Sequence, residues 1–156
     1  MAKSAKKKAN QPKSIQNRRA RYDYSLDDGF VVGIQLTGAE TKSLRRGHGH
    51  IRGAYVTIKD GELWLFNATI TGDNAIRIPE EEQTRSRKLL AKRKEIEQLA
   101  AAKQQGLTIV PLEVLTQGRF IKLRIAAGRG QKRYDKRHVL KKKDEQRDIA
   151  RAGVRK

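Results

Sequence analysis

Apolar and polar residues alternate most clearly in AYVTIKDGELWLFNATI (54–70). Period-two alternation buries one face of a strand and leaves the other in water. The stretch predicts a β-hairpin, with strands at 54–59 and 62–70 about Asp60-Gly61, a dipeptide suited to a type I′ turn. A slip of one residue would put Tyr55 and Trp64 on the wrong faces. Upstream, FVVGIQL (30–36) is dense in β-branched and aromatic residues and predicts a buried strand. Thr37 and Gly38 open a short helix over AETKSLRR, which Gly47 stops. GDNAIRIPEEEQ (72–83) predicts a surface loop closing at Pro79 and an acidic triplet.

The next segment predicts a longer helix at 84–105, N-capped by Thr84 or Ser86 and stopped by Gly106. Leu89, Leu90, Ile96, Leu99 and Ala100 would form its narrow apolar face, with Arg85, Arg87, Lys88, Lys92, Arg93 and Lys94 opposite. LTIVPLEVL and RFIKLRIAA predict two further strands joined at Gln117-Gly118. Pro111 cannot donate to a ladder, so it belongs at an edge or a bulge. Five or six short strands around a small apolar core predict a mainly β protein. The expected fold is an antiparallel barrel of the oligonucleotide-binding type, with two or three helices. A chain of 156 residues suits one such domain.

Charge changes this picture at the two ends. Lys and Arg total 36 against 17 acids, a net +19. Residues 1–21 hold eight cations and no acid, and residues 128–156 hold twelve cations and four acids, while 22–127 carry only +3. Three segments are expected: a basic disordered arm at 1–15, an RNA-binding barrel at 16–127, and a basic tail at 128–156. The tail is expected to be disordered when free and helical on a polyanionic partner, because Val139, Leu140, Ile149 and Val154 form no broad stripe. Clustered cations gain free energy on RNA or DNA by releasing condensed counterions. No run approaches the length of a membrane-spanning helix, and no signal core is expected at the N-terminus. Cysteine is absent and only His48, His50 and His138 are present, which leaves little material for a metal or acid–base centre. A cytoplasmic protein without cofactor or metal is the expectation.

Two stretches carry the candidate chemistry. GRGQKRYDKR (128–137) lacks the spacing and the Ser/Thr of a phosphate-binding P-loop. Its cations around Tyr134 suit phosphates and an unpaired base instead. NRRARYDY (17–24) has a similar composition. It reads either as an RNA contact or as a chain entry whose tyrosines cover one end of the barrel. His48 and His50 read as loop residues rather than metal ligands, and Glu80, Glu81 and Glu82 as a solvated loop. Glu40, among Lys42, Arg45 and Arg46, has two readings as well. It makes an intrahelical ion pair, or it accepts hydrogen bonds from base amino groups or 2′-hydroxyls.

Six segments in order, NRRARYDY, LTGAETKSLRRG, AYVTIKDGELWLFNATI, RSRKLLAKRKEI, GLTIVPLEV and GRGQKRYDKR, together resemble the SsrA-binding protein family, small protein B. The resemblance spans about residues 16–150. It implies a bacterial RNA-binding protein that is not an enzyme. Such a protein would bind the tRNA-like part of transfer-messenger RNA and reach stalled ribosomes with elongation factor Tu, beginning trans-translation. By position it assigns RNA contact to Glu40, Lys42, Leu90 and Lys92, the last standing where the family commonly has His or Asn. Arg19, Arg21, Tyr22, Tyr24, Arg45 and Lys88 complete the expected surface for the tRNA-like domain, with Tyr22 in place of a frequent histidine. In the tail the expected contacts are Gly130, Lys132, Arg133, Tyr134, Lys141, Lys142 and Lys143, with Asp135, Lys136 and Arg137 matching the family's DKR element. The resemblance implies that this tail enters the decoding centre and the empty mRNA channel of the ribosome. Two further expectations follow: Glu40→Ala weakens RNA binding with little change in stability, and truncation after Ala127 leaves a folded barrel.

Overall fold

Asp60 (φ 53°) and Gly61 (φ 74°) both adopt positive φ, as a type I′ turn requires. They join β5 (Tyr55–Lys59) to β6 (Glu62–Phe66) in the register Tyr55↔Phe66, Thr57↔Trp64 and Lys59↔Glu62. Val56, Leu63 and Leu65 therefore point inward and are buried, while Tyr55 faces out and stacks on Phe66 with ring centroids 5.5 Å apart. The computed structural model that shows this hairpin describes residues 14–131 and 133–153; most of the predicted N-terminal arm, Lys132 and Val154 lie outside the described residues.

The remaining strands are β1 (Ile15–Gln16), β2 (Tyr24–Leu26), β3 (Phe30–Ile34), β4 (Gly49–His50), β7 (Thr69–Ile70), β8 (Arg87–Leu90), β9 (Thr108–Leu115) and β10 (Lys122–Gly130). The helices among the described residues are α1 (Ala20–Asp23), α2 (Gly38–Arg45), α3 (Glu80–Gln83), α4 (Arg93–Gln104) and α5 (Arg133–Gly153). Six strands run in the order β9-β5-β6-β8-β3-β10, and β10 pairs back with β9, which closes an antiparallel barrel. Closure leaves no free edge among these six. β1 extends the sheet beside β9, β2 pairs with the far end of β10, and β4 pairs with β7 as a separate ribbon. Leu63, Leu123 and Ile125 are fully buried in the core, with Val32, Leu89 and Ile109 beside them. The mainly β barrel expected from the alternation is the fold observed.

Pro111 sits at a bulge, as its missing N–H demands. Arg124 pairs with Glu113 but Ile125 pairs with Pro111, leaving Leu112 as the extra residue. The bulge has a use, because the carbonyls of Pro111 and Leu112 accept from the Asn17 side chain (3.2 Å) and Asn17 N–H (2.8 Å). That pins NRRARYDY to the barrel.

Several elements differ from expectation. Residues Glu80–Gln83, expected as a solvated loop, form the short helix α3, and the described residues hold five helices rather than two or three. The predicted helix at 84–105 is two elements, β8 and then α4, which begins at Arg93. RKLL is accommodated as a strand because it bridges two others, Leu63↔Leu89 on β6 and Gly33↔Leu90 on β3. Without it the barrel would stay open, and tertiary pairing outweighs a weak helix propensity. Glu95 accepts from the Lys92 N–H at 2.9 Å and so marks the true start of the helix.

The GRG of GRGQKRYDKR is strand rather than linker. Gly128 pairs with Leu26 and Gly130 with Tyr24, three residues past the expected barrel boundary. A Cβ at Gly128 would stand 2.9 Å from the Ser25 carbonyl oxygen and 2.8 Å from Leu26 Cδ2. Gly128→Ala is expected to push β2 off β10 and to lower stability by about 1–3 kcal/mol, as overpacking does. Thermal melting measures this, and an unchanged midpoint would count against a tight seat for β2. Beyond Gln131 the chain forms α5, whose described residues are all exposed.

Candidate nucleic-acid interface

Strand alternation that buries Leu123 and Ile125 turns Lys122 and Arg124 outward. The same rule sends Val31 outward on β3, and Lys88 and Leu90 outward on β8. Pairing of Lys122 with Gly33, and of Gly33 with Leu90, sets these residues in one row across three strands. Val31 lies opposite Arg124 in the next row. The result is a groove lined by Val31, Gly33, Lys88, Leu90, Lys92 and Lys122, with a volume of about 550 Å³. Leu90 is 56% exposed there, an unusual place for leucine on a face that carries Lys88, Lys92 and Lys122 with Glu62 and Glu95 beside them. Gly33 keeps the floor low, since a Cβ there would meet Leu90 Cβ at 3.2 Å. Lys88 is tied to Glu62 at 2.7 Å. Three expected contacts, Lys88, Leu90 and Lys92, are thus brought together.

Sequence reasoning passed over Lys122 and Arg124. Their signal was present in the alternation of RFIKLRIAA, but only pairing with β3 shows which other strands share that face. Arg124 also connects the groove to the N-terminal segment. Arg21, Tyr24 and Arg124 line one cleft, and Arg18 joins Arg21 and Arg124 in the neighbouring one. Arg19 diverges from Arg21 and lines a different hollow with Arg52 and Tyr55. Tyr22 and Tyr24 are half-buried.

Glu40 occupies the end of the barrel where β3 runs into α2. Thr37 caps that helix: its hydroxyl accepts from Glu40 N–H (3.3 Å), and the Glu40 carboxylate accepts from Thr37 N–H (3.0 Å). The far end closes at Gly47 (φ 84°), where His48 N–H reaches the Ser43 carbonyl and Gly47 N–H the Leu44 carbonyl. Ser43 donates its hydroxyl to the Thr71 carbonyl and so moors α2 on the chain just past β7.

Glu40 itself is 1% exposed, and neither reading of it from sequence describes its surroundings. Its partners lie outside its helix. Arg85 Nε and Nη2 donate to its two oxygens at 2.9 and 2.7 Å, and Arg87 Nε and Nη2 donate at 3.1 and 2.9 Å. Arg87 is fully buried, and its other N–H groups reach the carbonyls of Ala68, Arg85, Glu82 and Gln83. Burial pushes the Glu40 carboxyl upward, but hydrogen bonds from Arg85, Thr37 and Arg87 outweigh it and hold the group below its usual value. Hydrogen bonding to Glu40 raises Arg85, whereas burial lowers Arg87.

Other expected contacts have structural tasks. Arg45 donates to the carbonyls of Thr116, Gly118 and Arg119 at 3.0–3.3 Å, clasping the β9–β10 turn. Lys42 is exposed on α2. Asp73 accepts from Arg46 at 2.7 Å and from Ala75 N–H, and these bonds hold its carboxyl low; His48 Nε2 lies 3.7 Å from it. Among the described residues no three His, Cys, Asp or Glu side chains are grouped to hold a metal, and no helix is long and apolar enough to cross a membrane. Gly130 ends β10, and Arg133, Tyr134, Asp135, Lys136, Arg137, Lys141, Lys142 and Lys143 all fall on α5.

Comparison with known proteins places this geometry. The SmpB protein family matches residues 14–155. An SsrA-binding protein of Trichormus variabilis is 46% identical over 138 residues, covering 87% of this chain and 89% of that one. An SsrA-binding protein of Roseiflexus sp. is 44% identical with 87% of each chain covered, and one of Pseudomonas putida is 41% identical over 143 residues, covering 88% of this chain and 87% of that one. A solved chain reported under the words "tmRNA-SmpB: a journey to the center of the bacterial ribosome" superposes with a TM-score of 0.64 at 34% identity, covering 81% of this chain and 94% of that one. On these grounds the chain belongs to the SsrA-binding protein (SmpB) family.

Proposed function

We propose that this protein is a non-catalytic RNA-binding adaptor that takes the tRNA-like domain of transfer-messenger RNA on its β8–β3–β10 face. It brings that RNA, with elongation factor Tu, to stalled ribosomes in the cytoplasm for rescue and peptide tagging. The carrying observation is the cluster of Lys88, Lys92 and Lys122, with Arg124 one row on, around the exposed Leu90, in a chain of this family. Lysines meet phosphates, while Leu90 and Val31 offer apolar surface to a base or ribose that has left its stack. Arg21, Tyr22 and Tyr24 extend the face through Arg124, and Lys42 and Arg19 add cations at its margins. Glu40 and Arg45 support it from within. The α5 segment, with Tyr134, Asp135, Lys136 and Arg137 at its start, is the part that enters the decoding centre and the empty mRNA channel. A helix exposed on its described sides gains little from the barrel and most from a channel walled with phosphate.

Competition binding at fixed salt tests the reading. Transfer-messenger RNA is expected to displace a structured RNA of equal length; equal affinity for both would indicate a general RNA chaperone instead. Leu90→Ala provides a sharper check. At 56% exposure the substitution is expected to change stability by no more than about 0.5 kcal/mol. It should weaken transfer-messenger RNA binding several-fold while leaving the salt dependence unchanged, because no cation is lost.

A further inference from the structure

Arg87 and Glu40 form a buried pair. Arg87 sends two N–H groups to one carboxylate oxygen, Oε1, and its other N–H groups to backbone carbonyls, fully out of water. Oε2 is left to Arg85 Nη2 and the Thr37 N–H. Arg85 brings a second guanidinium to the Glu40 carboxylate, with Glu82 acting on it through space. Of the three hydrogen-bonded side chains Arg85 is the solvent-facing one, 34% exposed against 2% for Glu40 and 0% for Arg87. Nε and Nη2 of Arg85 are fixed on the two carboxylate oxygens. Among the described residues its Nη1 makes only a long 3.4 Å contact to the Ser86 carbonyl, so that end remains available. A guanidinium gripped along one edge loses little rotamer freedom when it meets a phosphate with the other. Arg85 precedes β8 by two residues, and Gln35 N–H donates to the Lys88 carbonyl at 2.9 Å, joining the end of β3 to that strand.

We infer that Arg85 is a phosphate-contacting residue of the RNA face and that Glu40 is its positioning residue, acting on RNA only through Arg85. The inference rests on the RNA-binding reading above and extends it to a residue outside the lysine-rimmed groove. Buried Glu40 accepts four hydrogen bonds from its own arginines and one from Thr37 N–H, so RNA could reach its carboxylate only by displacing a donor already in place.

Salt-series binding to full-length transfer-messenger RNA, with a structured RNA of equal length as control, tests it in four proteins: wild type, Arg85→Ala, Glu40→Gln and the double variant. Arg85→Ala is expected to weaken binding about tenfold and to reduce the slope of log affinity against log salt by about one. It keeps the Glu40–Arg87 pair but removes a partner from Glu40 Oε2, so its melting point should fall, though less than that of Glu40→Ala. Glu40→Gln is expected to weaken binding in the wild-type background and to add nothing in the Arg85→Ala background. Arg85→Lys, which keeps the charge without the fork, should retain the salt slope and recover only part of the affinity. An unchanged slope in Arg85→Ala, or additive losses in the double variant, overturns the inference while leaving the proposed function standing. A wild type that binds both RNAs equally overturns the proposed function and the inference together. Should Glu40→Gln unfold, the slope of the well-folded Arg85→Ala decides alone.

Discussion

Glu40→Ala is expected to lower stability by about 3–5 kcal/mol, the range for stripping one partner from a buried ion pair. For a chain of this size the melting midpoint should drop on the order of 10 °C. The size of the effect comes from what remains. Arg87, with no exposed surface, would keep its charge and its carbonyl partners but lose its counter-ion. The Thr37 capping box would lose its return bond at the same time. The sequence-based expectation of nearly unchanged stability is therefore revised, and thermal denaturation at neutral pH measures the outcome. The folded-state pKa of Glu40 is depressed, so its stabilisation is complete above the ordinary value of 4.5 and fades as pH falls through the lower folded value. The gap between wild type and variant should thus narrow in acid. A gap that widened below that pH would contradict a carboxylate held ionised by its arginines.

Removal of the tail should have the opposite profile, with function abolished and fold intact. The cut must fall after Gln131, not after Ala127. Gly128, Arg129 and Gly130 complete β10 against Leu26, Ser25 and Tyr24, and Gln131 N–H donates to the Asp23 carbonyl at 2.8 Å. Ending at Ala127 would free β2 and the root of α1, and so would confound loss of the tail with damage to the RNA face. A chain ending at Gln131 is expected to melt as the full-length protein does and to bind transfer-messenger RNA with somewhat reduced affinity, since basic α5 no longer adds long-range attraction. In a reconstituted translation system with stalled ribosomes, tagging should fall to the level seen without the protein. Restored tagging would refute the proposed role of α5.

Much of the fold could be read from local pattern. Asp60-Gly61 announced the hairpin because only a turn with two positive φ values suits that dipeptide between alternating strands. Pro111 announced its bulge because it has no N–H to give. Strand β8 was illegible for the converse reason: RKLLAKRKE is rich in helix-favouring residues, and the need for a strand arises only from Gly33, Ile34, Leu63 and Leu65 on either side. The environment of Glu40 was hidden likewise, since its partners lie 45 and 47 residues away and no local spacing encodes them. The groove was half visible. Leu90 and Lys92 came from motif resemblance and Lys88 from the run of cations beside them, whereas Lys122 and Arg124 required the strand register.

The three ladders of β10 also govern when the molecule can fold. The barrel closes only when β10 reaches β3 and β9, and β9 in turn reaches β1 and β5. Those pairings join residues as distant as Ile15 and Val114, or Phe30 and Ile125. During synthesis, β3, β5, β6 and β8 therefore leave the exit tunnel without the strands that complete them. Such long-range topology is slow to form and exposes unpaired edges in the meantime. Lys122 and Arg124 belong to the same late strand, so the proposed RNA face is completed only when the barrel is essentially finished.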